Sequence, residues 1–89
     1  MSRVEKIRVA LAAAFAPRHL VIEDESHRHA GHAGAATGRG HFRVEIVASA
    51  FAGLPALARH RQVYAALGEL MQTDIHALSI EARAPDEAG

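Results

Sequence analysis

Seven histidines and no cysteine define the chemistry open to this 89-residue chain. Four of the imidazoles, His27, His29, His32 and His41, crowd between residues 27 and 41. Neutral imidazole is a ligand for zinc, copper, nickel and iron, and His27-x-His29-x-x-His32 is a weak zinc or nickel set. Without a thiol there is no disulfide, no thiol nucleophile and no self-contained zinc finger or iron–sulfur centre. The arginines are the second set. Arg43, Arg59 and Arg61 suit bidentate phosphate binding and are the candidates for nucleic-acid contact. Ion pairs with nearby acids are the plainer reading, because Lys+Arg and Asp+Glu number ten each and the net charge is zero. Nucleic-acid affinity comes largely from phosphate neutralisation. Catalysis finds no support: the acids are scattered, and neither a nucleophile elbow nor a phosphate loop occurs. Ser26 near His29 is a commonplace pairing. The chain reads as a non-enzyme.

The elements that must position these groups follow from periodicity. Ser2 followed by Glu5 is a capping-box pattern, and Val4, Ile7, Leu11, Ala14 and Phe15 recur at helical spacing up to Pro17. Residues 19–24, around Leu20-Val21-Ile22, read as a strand. A second strand from His41 to about Ser49 alternates, with Phe42, Val44, Ile46 and Ala48 on one face and His41, Arg43 and Glu45 on the other. Between the two lies a Gly-rich, His-rich loop, 25–40, too long for a tight hairpin. From Leu54 to Met71 the pattern is helical with a phase slip, as in two consecutive helices or one bent near Arg59-His60. Ile75 to about Arg83 reads as the last strand, with His76, Leu78, Ile80 and Ala82 on one face. Residues 86–89 read as a frayed tail.

The expected architecture is α+β, in the order αββααβ: a three-stranded mixed sheet covered by helices on one face. Strands one and two are antiparallel neighbours, and strand three is parallel to one of them. A chain this short buries roughly 60% of its unfolded surface, so residues 1–85 form a single domain. Aromatic residues make up 4% of the chain, so the core is aliphatic. No apolar run approaches the roughly 20 residues that span a bilayer, and no signal-peptide pattern opens the chain. A soluble cytoplasmic protein is expected.

Several blocks in order resemble the BolA family, over about Val4 to Pro85. They are Glu25-Ser26-His27-Arg28-His29, His41-Phe42-Arg43-Val44, Phe51-Ala52-Gly53-Leu54, Arg59-His60-Arg61-Gln62-Val63-Tyr64-Ala65-Ala66-Leu67 and Ile75-His76-Ala77-Leu78-Ser79-Ile80. The resemblance implies an αββααβ domain similar to class II KH modules. It also implies pairing with a monothiol glutaredoxin around a shared [2Fe–2S] cluster. Carried over, the ligands from this chain are His76 and His29, with His27 and His32 as substitutes. The partner brings the sulfur through its Cys and bound glutathione, and no cofactor is expected on the isolated chain. His19, His41 and His60 read as structural, His60 at the helix junction. The alternative that the resemblance implies is a DNA-binding transcriptional regulator of stress response and cell morphology, acting through the helical surface. A KH module grips nucleic acid through a Gly-x-x-Gly loop between helices. Gly53 stands alone there, and Gly31-His32-Ala33-Gly34 lies between strands. The sequence also departs from the family at Gly40, where Ser or Thr is common.

Overall fold

The computed structural model describes residues 1–26 and 39–88. Helix α1, Arg3–Phe15, starts where Ser2 Oγ accepts the Glu5 amide at 3.1 Å. The Glu5 carboxylate turns instead to Arg8 Nε, 3.2 Å away. The helix ends at Ala16, which takes a left-handed φ of 44° and donates its amide to the Ala12 carbonyl. Pro17 forces this stop, since its ring disfavours helical geometry in the residue before it. Ile7 and Leu11 are the buried rungs of the helix.

Strand β1, His19–Asp24, pairs antiparallel with β2, Gly40–Val47, which is central and pairs parallel with β3, Ile75–Arg83. Phe42, Val44 and Ile46 of β2 join Ile7 and Leu11 in one core with Val63 and Leu67 of helix α2, Ala56–Leu67. His41, Arg43 and Glu45 point to the opposite, open face and are half-buried. This is the expected mixed sheet with helices on one side. The central strand stops two residues early. Ser49–Phe51 is a short 3-10 turn that buries Phe51, whose ring lies 5.0 Å from that of Phe15.

Of the two expected forms of the helical segment, two consecutive helices is the one found, with the break at Gly68 rather than a bend near Arg59-His60. Gly68 takes φ 54°, and a second short helix, α3, runs from Leu70 to Thr73. Three expectations are corrected. His60 therefore lies within α2 rather than at a junction. The tail is not frayed at 86–88: Pro85–Ala88 forms a helical turn, α4, and Glu87 grips Arg59. The third correction, the face on which His76 lies, belongs to the site. No helix among the described residues is long and apolar enough to cross a membrane.

Candidate functional site

Strict alternation along β3 puts His76 on the helix-covered face with Leu78. The register breaks this parity. Gly40 pairs with Ile75, but the next residue of β2, His41, pairs with Ala77, leaving His76 as the extra residue of an irregularity between the strands. A bulge of this kind bends the strand and re-aims a side chain. Ile75 is buried, His76 and Ala77 are both exposed, and Leu78 returns to the core side. The re-aimed imidazole meets His41: the ring centroids are 5.2 Å apart, with the planes inclined at 55°. His41, read from sequence as a structural residue of the strand, thus lies against His76.

The ends of the long loop converge on the same spot. Asp24 Oδ1 accepts the Ser26 amide at 2.9 Å, a turn that a short acidic side chain makes two residues ahead of its partner. The Glu25 amide donates to the His41 carbonyl at 2.8 Å, and the His41 amide donates to Ser26 Oγ at 3.0 Å. On the other side the Gly40 amide donates to the Asp74 carbonyl at 2.9 Å, and Arg39 reaches the Gln72 carbonyl. Gly40 is required here. A Cβ on it would lie 2.7 Å from both the Phe42 ring and Ser26 Oγ, so a larger residue does not fit this packing. His29, His27 and His32 lie outside the described residues.

Asp74 is the anchor that the sequence did not disclose. It is buried, at 8% exposure, and its carboxylate receives Thr73 Oγ1 at 2.6 Å and Lys6 Nζ at 3.2 Å, with Arg3 at 3.4 Å. The Thr73 hydroxyl, followed by the Lys6 and Arg3 charges, holds this carboxyl below the usual range. The start of α1 is thereby tied to the residue that precedes β3. Its partners are 68 positions away in the case of Lys6, a separation without local pattern.

The arginines divide. Arg59 donates Nε to the Leu54 carbonyl, and Nη1 to the Ala82 carbonyl. Both Nη atoms also reach the Glu87 carboxylate, at 2.5 and 2.7 Å. With its side chain 11% exposed, it serves to fasten α2, β3 and α4 together. Arg43 sits on the open sheet face between Glu23, 2.7 Å, and Glu81, 3.3 Å. These carboxylates raise both guanidinium pKa values, the Glu23 and Glu87 hydrogen bonds being the leading causes. Arg61 is exposed on α2, one turn from the exposed Leu57 and Tyr64. His19 is exposed, its Nε2 3.7 Å from Glu45 Oε2.

The same architecture occurs in known proteins. Residues 11–87 match the family model for BolA-like proteins. BolA-like protein 1 of Homo sapiens is 47% identical over 79 residues, which cover 89% of this chain and 56% of that protein. The DNA-binding transcriptional regulator BolA of Escherichia coli (strain K12) is 42% identical over 76 residues, covering 85% of this chain and 70% of the regulator. The chain thus spans about half of the human relative and more of the bacterial one. BolA1 from Arabidopsis thaliana superposes with a TM-score of 0.85 at 38% identity, with 100% of this chain and 99% of that one covered. The mixed sheet, the helices packed on it and the sequence blocks that line them together make this chain a member of the BolA family.

Proposed function

We propose that this BolA-family chain is an iron–sulfur adaptor, which pairs with a monothiol glutaredoxin and co-ligates a [2Fe–2S] cluster for trafficking or iron sensing. The observation that carries the reading is His76: an exposed imidazole turned to the open sheet face by a strand irregularity, beside the two anchored ends of the loop. His29 follows Ser26 by three residues in the sequence, and His27 and His32 are its substitutes. Such clusters are held by thiolates, with His replacing some of them. The sequence contains no Cys, so this chain contributes imidazoles and the partner contributes sulfur through its Cys and glutathione. The donor set fits one half of a shared site. The cluster supplies electron-transfer and sulfide chemistry. The residues of this chain bind, orient and expose it.

Co-expression with a monothiol glutaredoxin tests the reading. A brown complex carrying iron and sulfide supports it; a colourless complex, or no complex, overturns it.

The name of the bacterial relative favours a second reading, DNA binding. The geometry directs it to Arg61 on the exposed side of α2, since Arg43 and Arg59 are held by carboxylates. On that reading Arg61→Ala weakens binding across sequences and lowers the salt slope by about 1, measured by fluorescence anisotropy on duplex DNA. Unchanged affinity and slope would count against it.

A further inference from the structure

We propose that the end of the sheet opposite His76 carries a cleft for a small organic acid, whose single carboxylate is taken by Arg18 and Arg83 and whose apolar body lies on Val47, Pro85 and Ala88. The cleft shares no residue with the proposed cluster site, so the two readings stand or fall separately.

The cleft forms where the start of β1, the ends of β2 and β3 and the turn α4 meet, and its volume is about 520 Å³. Sites for small organic ligands fall in the same range, roughly 300–1,000 Å³. The register sets His19, Val47 and Arg83 side by side on the three strands. Val47 shares the parity of His41, Arg43 and Glu45, yet it is only 8% exposed. It makes an apolar floor, with Pro85 and Ala88 as an apolar wall. The backbone beneath is fixed. The Arg18 amide donates to the Val47 carbonyl at 2.8 Å, and the Ala48 amide donates to the Arg83 carbonyl at 3.0 Å. The wall is held in turn by the bonds from Arg59 to Glu87 of α4. Charge selects the ligand. Arg18 is exposed, and its guanidinium has no partner among the described residues. Arg83 donates to Glu81 through Nη2, which leaves it further N–H groups. A guanidinium is a planar fork that matches a carboxylate. Glu45 also lines the cleft, two residues or about 7 Å further along β2, with His19 Nε2 3.7 Å from its Oε2. Its carboxylate disfavours a second negative group on the ligand and accepts a bond from a hydroxyl or N–H. The cleft therefore suits one carboxylate on an apolar body rather than a polyanion.

The test titrates naphthoate, acetate and naphthalenemethanol separately into the full chain, followed by NMR of the backbone amides. Naphthoate carries head and body, acetate the head alone and naphthalenemethanol the body alone. The expected result is one naphthoate per chain, with shifts centred on Arg18, Val47, Arg83 and Ala88. The other two probes bind at least about tenfold more weakly, because such a site draws on both its apolar lining and its few polar groups. Arg18→Gln weakens naphthoate binding by at least about tenfold, the worth of a hydrogen bond to a charged group. Ala88→Glu, which sets a like charge on the wall, weakens it as well. Arg18 is exposed and its side chain engages nothing among the described residues, so its replacement leaves the core intact and keeps the test decisive. The site is refuted if Arg18→Gln binds naphthoate as the parent does, or if the shifts fall elsewhere on the chain. It is refuted equally if acetate or naphthalenemethanol matches naphthoate, since charge or greasiness alone would then explain the binding. The cluster reading fails separately, by loss of colour in the glutaredoxin complex while naphthoate binding to the lone chain persists.

Discussion

A methyl group at Gly40 would press on the Phe42 ring and on Ser26 Oγ, each 2.7 Å from its carbon. Phe42 is 2% exposed and has no room to yield. Gly40→Ala should therefore cost about 1–3 kcal/mol, the usual range for overpacking, measured by urea unfolding. It should also loosen the His41–Ser26 bond that closes the loop. The titrating residues give a second expectation. Arg59 and the Ala84 amide lower the Glu87 pKa from 4.5 to about 2. The folded value is depressed, so its contribution to stability is present above the unfolded pKa and fades as pH falls from about 4.5 towards 2. Glu87→Gln should be less stable than the parent at pH 7, and the two should converge near pH 2 in unfolding series across that window. The lowered carboxyl of Asp74 acts with the same sign. A parent chain whose stability is flat across that range would contradict both assignments.

At the scale of elements, α2 ends where Gly68 takes φ 54° and ψ −124°, a region that residues with a Cβ rarely enter. Gly68→Ala should destabilise by about 1–3 kcal/mol, and hydrogen exchange should show the loss concentrated in α3 and the start of β3. The parts of the fold legible in the sequence were those written in local pattern. The Ser2 cap, the stop before Pro17, both β1 bounds and the whole of β3 could be read from residues a few positions apart. What could not be read depends on long-range pairing. The strand irregularity that turns His76 over exists only because β2 and β3 meet out of step at Gly40 and His41. The order of α4 depends on a carboxylate 28 residues from its guanidinium. Phase slip in the helical segment was visible, and Gly68 is the sequence signal that could have located it, since glycine is favoured just past a helix end. Of the candidate site, His76 was legible through family resemblance; its neighbour His41 was not, since parity assigned the two to opposite faces.

For the whole molecule, the fold divides labour between two faces. Helices and the apolar side of the sheet build the core, while the open side gathers the Arg43 ion pairs and, at one end, the His41–His76 pair beside the loop ends. A chain with this layout and no sulfur ligand of its own fits an adaptor that completes another protein's site. The most direct measurement is the visible circular dichroism of the complex with a monothiol glutaredoxin, comparing the parent with His76→Ala and with His60→Ala as a helix control. A cluster spectrum is expected for the parent and for His60→Ala, and an altered or rapidly bleaching one for His76→Ala. Identical spectra and cluster lifetimes for the parent and His76→Ala would contradict ligation by His76.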